Sequence, residues 1–323
     1  MSSPTVIRIA ILDDYQNVAL ELADWSPLKT RAAITVFNDH VAETGPLIER
    51  LKPFDVLCVM RERTPLTRTV IEALPNLKLI ASTGSGNASI DLNAAAERGV
   101  KVVHTDYSST ATIEFTWATI LAMARNIPAE TRSVREGGWQ RSLGTQLAGK
   151  TLGLLGLGHI GSAVGVIGRA FRMNVIAWSQ NLTDERAESK GVQRVDKDTL
   201  FSASDILSIH LRLSERTLGL VGAAELARMK PTSRIVNTSR GPIVDTAALL
   251  AALKNGRIAG AAIDVYDTEP LDPADPLRTT DNVLATPHIG YVTRELYETF
   301  YGGTVRNIVE WLDETEGAAG SRH

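Results

Sequence analysis

The chain of 323 residues contains a single cysteine, Cys58. An internal disulfide is therefore impossible, which excludes the cross-linked framework of a small secreted scaffold and suits a reducing compartment. Long apolar runs are missing too. The longest are strand-sized, well short of the roughly 20 residues of a membrane span, and the polar start Met1-Ser2-Ser3-Pro4 lacks the charged and apolar regions of a signal peptide. Neither sign of charge is in excess: 37 acidic residues stand against 34 basic ones, a net charge of −3. Neither a polyanion-binding surface nor a membrane-surface patch is advertised. There is no Cys/His cluster at metal-ligand spacing, no internal repeat and no low-complexity tract. What is present is an ordinary folding composition, 44% hydrophobic and 22% charged, close to globular averages. The expectation is a soluble cytoplasmic protein with no metal and with neither nucleic acid nor membrane as partner. At roughly 100 to 200 residues per domain, its length suits two domains.

Short β-branched runs alternate with segments of helical period, the pattern of βαβ units that build parallel sheets. Val6 to Leu12, Phe54 to Met60, Leu77 to Ala81 and Val100 to Val103 read as strands, and Val41 to Leu51 as a helix closed by Pro53. Asp91 caps a helix that Gly99 ends. From Thr110 to Ala124, Ile113, Trp117, Ile120, Leu121 and Ala124 recur at helical spacing, so a long connector helix interrupts the alternation. A stronger series then begins, with strands at Thr151 to Leu155, Asn174 to Trp178, Gly191 to Val195, Asp205 to Ile209, Arg234 to Asn237, Ala259 to Ile263 and Asn282 to Ala285. Such a series suits a doubly wound nucleotide-binding sheet. Val292 to Trp311 is read as a helix that crosses back to the first domain, and Glu314 to His323 as a small, polar, frayed tail. The expected architecture is α/β, two doubly wound parallel-sheet domains. One is assembled from residues 1–103 plus 289–323, and the other, a Rossmann dinucleotide-binding domain, from residues 104–288.

Gly156-Leu157-Gly158-His159-Ile160-Gly161 follows the apolar strand Leu152 to Leu155 and opens a helix containing Val164, Ile167 and Phe171. In that context Gly156 permits a tight turn, Gly158 lets the backbone approach a pyrophosphate, and Gly161 lets helix and strand pack. The fingerprint normally ends with an acid about 20 residues on, which accepts hydrogen bonds from the adenosine ribose. Here that strand ends Trp178-Ser179-Gln180-Asn181, without a carboxylate and without an immediately following Arg or Lys. NAD and NADP both remain open, with NAD slightly ahead.

Three later segments each put a functional side chain just after a strand, where ligands lie in such sheets. They are Asn237-Thr238-Ser239-Arg240-Gly241, Asp264-Val265-Tyr266-Asp267-Thr268-Glu269-Pro270, and Thr286-Pro287-His288-Ile289-Gly290. An Arg fork can hold a carboxylate bidentately beside a polarised carbonyl. A His can give or take a proton near neutral pH, and a neighbouring Glu stabilises its imidazolium. With a dinucleotide, these groups suffice for hydride transfer at an alcohol carbon. Taken singly, each of Arg240, Glu269 and His288 is more often structural; their joint placement after three strands of one sheet reverses that.

With these four ordered motifs the chain resembles the D-2-hydroxyacid dehydrogenase family, over nearly its whole length, and within it the branch similar to D-3-phosphoglycerate dehydrogenase. The resemblance implies a flavodoxin-like substrate domain beside the Rossmann domain and an active site in the cleft between them, from which hinge closure excludes water. It implies Arg240 as the residue binding substrate carboxylate and carbonyl, His288 as general acid/base and Glu269 as its partner. The backbone of Gly84, Ser85 and Gly86 would receive the same carboxylate. Gly156, Gly158, His159, Ile160 and Gly161 would bind the cofactor, with Ser179, Gln180 and Asn181 at its ribose, and Thr238 and Asp264 would face the nicotinamide carboxamide. The reaction implied is interconversion of a small 2-keto acid and a D-2-hydroxy acid with NAD or NADP, by a homodimer joined through its nucleotide-binding domains.

Departures from the family pattern carry information. His210-Leu211-Arg212-Leu213-Ser214 has Arg212 where relatives usually have Pro, in a loop near the adenine. Arg212 would supply the charge for a 2′-phosphate that the Ser179–Asn181 corner lacks, although a solvated loop arginine is the commoner case. Glu269 argues against formate as substrate, because formate dehydrogenases of the superfamily carry Gln there. Feedback through a C-terminal regulatory domain, frequent in relatives that make serine precursors, is not expected of a chain ending soon after Trp311. A non-catalytic, cofactor-sensing corepressor of this fold is the competing reading, unsupported by any basic element. His104, His159 and His210 lack acidic partners at ligand spacing and are read as structural. Arg61-Glu62-Arg63 would meet the distal end of the substrate or form a surface ion pair. Trp139 and Tyr291 are read first as core and second as pocket wall.

Overall fold

A computed structural model describes the backbone of residues 6–320. The polar start Met1-Ser2-Ser3-Pro4 and the last three residues of the expected frayed tail lie outside the described residues. The chain divides into two units, Met1–Ser108 with Val292–His323, and Ser109–Tyr291.

The first unit is a five-stranded parallel sheet of β1 (Ile7–Ile11), β2 (Ala32–Val36), β3 (Val56–Val59), β4 (Leu79–Ser82) and β5 (Lys101–His104), in the order β2-β1-β3-β4-β5. This is the flavodoxin-like order. β3 and β4 are buried at every residue, which is why they read as continuous apolar runs. β2 escapes the sequence reading because it is an edge strand with only Ala32 buried. Leu47, Leu51, Leu57, Ile71, Ile80 and Ala94 form the core. Asp91 caps its helix by accepting the Ala94 amide at 2.8 Å.

The helix Arg294–Gly320 belongs to this unit. It is held close to the end of β5: a Cβ on Gly303 would stand 2.9 Å from the Thr105 side chain. Asn307 Nδ2 donates to the His104 carbonyl at 3.0 Å, and the Tyr107 ring stacks on Phe300 at 6.5 Å. These contacts carry the first unit through Ser108, five residues beyond the expected boundary at 103. The helix also continues where a frayed tail was expected. Its acidic face is paired to the unit by Arg31 with Asp313 (2.7 Å) and Glu316 (3.0 Å), and by Lys101 with Glu314 (2.5 Å).

The second unit is a seven-stranded parallel sheet of β6 (Thr151–Leu155), β7 (Asn174–Trp178), β8 (Gln193–Arg194), β9 (Ile206–Ile209), β10 (Arg234–Asn237), β11 (Gly260–Ile263) and β12 (Val283–Ala285). Its order, β12-β11-β10-β9-β6-β7-β8, is the doubly wound dinucleotide-binding order with one strand added. The expected strand Gly191 to Val195 shrinks to two exposed residues at the sheet edge. Because successive strand residues face opposite ways, Ile235 joins a core with Phe201 and Ile209 on one face while Val236 joins Leu152, Leu154 and Val164 on the other. The helix Thr110–Ala124 packs on that second face, where Trp117 Nε1 donates to the Val164 carbonyl at 3.2 Å. The unit ends at Tyr291 rather than at 288, since the Ile289 and Gly290 amides are bound to Asp264 within it. Among the described residues no helix is long and apolar enough to cross a membrane.

Phe201 is completely buried. Phe201→Ala is expected to destabilise the second unit by about 3–5 kcal/mol, seen as a lower denaturant midpoint for its unfolding transition; an unchanged midpoint would contradict this core assignment.

Candidate active site

The second sheet aligns its strand ends. Leu155 pairs with Ile209, Ile209 with Asn237, Asn237 with Ile263, and Ile263 with Ala285. The four motifs therefore leave one carboxyl edge side by side, the edge at which such sheets take ligands.

The glycine loop is built by backbone packing. Gly156 has φ +105°, and a Cβ there would lie 2.8 Å from the His210 carbonyl oxygen; a Cβ on Gly161 would lie 2.2 Å from the Gly156 oxygen. At Gly158 a Cβ would meet nothing within 4 Å. The helix His159–Ala170 starts immediately after, with Gly158 as its cap residue, so His159, Ile160 and Gly161 present first-turn amides that have no intrahelical acceptor. Open space over Gly158 and these amides fit a diphosphate at a helix N-terminus. The Gly156 amide donates to the Trp178 carbonyl at 2.9 Å, which sets the Ser179–Asn181 corner beside the loop. Ser179 is half-buried there, and Gln180 and Asn181 are exposed.

On the other side of the row stand the candidate catalytic groups. His288 Nδ1 lies 2.6 Å from Glu269 Oε2, with the two side chains 28% and 31% exposed. The second Glu269 oxygen accepts the Tyr266 amide at 2.9 Å. Desolvation pulls the Glu269 carboxyl upward, but the hydrogen bond and charge of His288, the Tyr266 amide and the charge of Arg240 together hold it below its ordinary value. His288 has φ +52°, a conformation uncommon outside glycine that clusters at functional sites.

Asp264 holds that turn. It is 1% exposed, and its carboxylate accepts the Thr286 hydroxyl at 2.7 Å and the Ile289 and Gly290 amides at 2.9 Å each. Burial pushes its carboxyl up, against the pull of these donors and of His288. The position expected to face a carboxamide is thus committed to clamping both sides of His288. Thr238, expected at the same place, shares its hydroxyl with Thr116 at 2.9 Å, which ties β10 to the helix Thr110–Ala124.

Arg240 leaves β10 through a braced turn. Asn237 Nδ2 donates to the Arg240 carbonyl at 2.9 Å, Asn237 Oδ1 accepts the Ser239 amide at 3.1 Å, and the Ser239 hydroxyl donates to the Leu211 carbonyl. Arg240 Nη1 donates to the Ser239 carbonyl at 2.7 Å. The next residue explains how this turn meets the Glu269 segment: a Cβ on Gly241 would lie 2.2 Å from the Tyr266 carbonyl carbon. Sequence reading treated Gly241 only as part of a motif, because its partner lies 25 residues away.

Other candidates fall into place separately. Gly84, Ser85 and Gly86 belong to the first unit, after β4. The Gly84 amide, one of those expected to receive a carboxylate, is bonded to Thr105 Oγ1 at 2.8 Å. Arg61 Nη1 donates to the Thr83 and Gly86 carbonyls at 3.2 and 3.4 Å, while Arg63 donates to the Asp13 carbonyl at 2.7 Å and to the Tyr297 hydroxyl at 3.1 Å. Tyr291 is buried with its ring edge-on to His288 at 5.6 Å. Trp139 is 74% exposed, in a segment without regular structure after the helix Ile127–Arg135, so the core reading fails for it. His210 lies under the glycine loop, 2.9 Å from the Ser208 hydroxyl, and desolvation pushes its imidazole down to about 4, so it stays neutral. His104 and His159 are exposed. Among the described residues no group of three His, Cys, Asp or Glu side chains is placed to hold a metal ion.

A glycine loop at the switch point of a doubly wound sheet, on the same strand edge as an acid, an imidazole and a guanidinium, defines a dinucleotide-binding α/β protein with a polar candidate site. Residues 117–290 match the family described as D-isomer specific 2-hydroxyacid dehydrogenase, NAD binding domain, and the chain belongs to that family. It is 44% identical over 252 residues to D-3-phosphoglycerate dehydrogenase of Archaeoglobus fulgidus, covering 77% of this chain and 48% of that protein. With hydroxypyruvate reductase of Thermotoga maritima it shares 37% identity over 295 residues, 89% of this chain and 92% of the relative. A crystal structure of phosphoglycerate oxidoreductase from Vibrio cholerae o395 superposes with a TM-score of 0.91 at 40% identity, covering 96% of this chain and all of the other. The chain spans about half the length of the D-3-phosphoglycerate dehydrogenases it matches in Archaeoglobus, Methanocaldococcus and Synechocystis.

Two outcomes follow from this geometry. Gly241→Ala forces a methyl into the Tyr266 backbone and is expected to cost about 1–3 kcal/mol or more; wild-type stability in urea would show that the two loops are not in contact. The folded Glu269 carboxyl lies below its ordinary 4.5, so its contribution to stability is fully present above that pH and is lost as pH falls through the lower folded value. Glu269→Gln is expected to flatten this acid limb of the stability profile. Parallel profiles for variant and wild type would show that Glu269 contributes nothing to it.

Proposed function

We propose that the protein interconverts a small 2-keto acid and a D-2-hydroxy acid with a nicotinamide dinucleotide. The observation that carries this reading is the 2.6 Å His288–Glu269 pair, set beside the charge of Arg240 on the same sheet edge as the glycine loop. Family membership and relatives named D-3-phosphoglycerate dehydrogenase, glyoxylate reductase and hydroxypyruvate reductase support it.

In this reading the dinucleotide is held by Gly156, Gly158, His159, Ile160 and Gly161 at its diphosphate, with Ser179, Gln180 and Asn181 at its ribose. When bound, its nicotinamide ring supplies the hydride donor or acceptor. Arg240 grips the substrate carboxylate and polarises the neighbouring carbonyl. His288 protonates the keto oxygen as imidazolium in reduction and, as neutral imidazole, takes the hydroxyl proton in oxidation. Glu269 accepts from Nδ1, which leaves Nε2 as the working nitrogen and stabilises the charged ring. Thr286 and Asp264 keep His288 in its strained turn, and Tyr291 walls one side of the imidazole. Gly84, Ser85 and Gly86, after β4, are carried over from the family resemblance as carboxylate-binding backbone, the Gly84 amide being bonded to Thr105 Oγ1. Assembly as a homodimer is carried over from the family resemblance.

The test is turnover with glyoxylate, hydroxypyruvate, pyruvate, phenylpyruvate and 3-phosphohydroxypyruvate, each with NADH and NADPH. At least one acid is expected to drive cofactor oxidation, and silence across the panel would overturn the reading. His288→Ala is expected to lower kcat by about 100- to 10,000-fold while cofactor binding persists. Near-normal turnover in that variant would show that another residue is the acid/base.

A further inference from the structure

We propose that the adenosine end of this site is built for a 2′-phosphorylated dinucleotide, with Arg212 as the phosphate-binding residue. The inference rests on the dehydrogenase reading and concerns a corner in which this chain departs from its family. In the sequence NAD stands slightly ahead, and Arg212 is a candidate for the 2′-phosphate with a solvated loop arginine as the commoner case. The fold changes the weighing.

The strands β7 and β9 flank β6, with Trp178 and Ile209 both in register with Leu155. Two strand spacings, roughly 10 Å, separate the points at which Ser179 and His210 begin their turns, and the glycine loop rises between them. The loop touches both sides: the Gly156 amide bonds the Trp178 carbonyl, and a Cβ on Gly156 would lie 2.8 Å from the His210 carbonyl oxygen and 3.0 Å from the Leu211 side chain. Arg212 therefore leaves the backbone one residue beyond direct contact with the diphosphate loop.

That backbone is pinned. The Leu211 carbonyl accepts the Ser239 hydroxyl, the Arg212 carbonyl accepts the Thr217 hydroxyl at 2.8 Å, and the Ser214 amide donates back to Thr217 at 2.8 Å. The side chain is exposed and, among the described residues, enters no ion pair. Two other arginines are committed, Arg194 to the Leu182 carbonyl and Asp184, and Arg240 to the Ser239 carbonyl, while Arg216 is exposed in the same loop.

The opposite wall offers nothing to repel an anion. Residues 178–183 and 210–214 contain no carboxylate. Asp184, the first acid after residue 183, is paired with Arg194 at 3.3 Å, and Glu185 is bonded to Thr183, while on the Arg212 side the next acid is the exposed Glu215. A carboxylate at this corner is what accepts the 2′-hydroxyl and rejects a 2′-phosphate; an arginine nearby accommodates the phosphate. Here the first device is missing and a cation with a fixed backbone and no ion-pair partner takes its place. Ser179, Gln180 and Asn181 supply neutral hydrogen-bonding groups around it.

The experiment is equilibrium binding by calorimetry on the whole protein, with no substrate present. NADPH is compared with NADH, and 2′,5′-ADP with 5′-AMP. The 2′-phosphorylated member of each pair is expected to bind more tightly, with a steeper salt dependence. Arg212→Ala is expected to lower the NADPH-to-NADH affinity ratio by about tenfold or more, Arg212→Lys to recover part of it, and Ser179→Asp to reverse it. Tighter wild-type binding of NADH and 5′-AMP, or an Arg212→Ala variant that weakens all four ligands equally, would overturn the proposal. If none of the four binds, the dehydrogenase reading falls with it.

Discussion

A buried carboxylate has to be satisfied, and in this protein that requirement shapes the turn that carries His288. Asp264 sits at the end of β11 with almost no access to solvent, where an ionised group without partners is costly. Its three donors are the Thr286 hydroxyl and the Ile289 and Gly290 amides, so the groups that solvate it lie on both sides of His288. The imidazole is thereby carried on a turn whose ends are tied to the next strand. This is how a residue at φ +52° is kept in place. Glu269 then completes the pair from the segment that begins at Asp264 itself.

Glycines do comparable work by bringing backbones together. Gly161 lies against the Gly156 carbonyl, Gly156 against His210, and Gly241 against Tyr266. The second and third contacts join segments that leave different strands, and each of the three would be pushed apart by a single methyl. The first two compact the dinucleotide loop, and the third seats the Arg240 turn on the Glu269 segment. The charged groups can act together because uncharged backbone lets their loops approach.

The first unit shows why the chain returns to it. The Gly84 amide is bonded to Thr105, and Thr105 packs against Gly303 of the last helix. The glycine loop after β4, the end of β5 and the C-terminal helix are one chain of contacts. The acidic end of that helix is neutralised by Arg31 and Lys101, which extends regular structure through a stretch whose composition suggested fraying.

Strand and helix periodicity, and four motifs with fixed internal spacing, determined from sequence alone the α/β class, the doubly wound dinucleotide-binding sheet and the catalytic trio as candidates. These signals are local: a strand, its turn and the first residue of the following segment lie within a few positions of one another. The tertiary structure decided what depends on distant partners. It gave Asp264 its donors on both sides of His288, gave Gly241 its reason in Tyr266, committed the Gly84 amide to Thr105, and placed β2 at an edge too exposed to leave an apolar run. It also exposed Trp139, an aromatic whose size alone suggested a core. Burial and hydrogen-bond partnership are properties of pairs of residues, and periodicity along one chain records only one member of each pair.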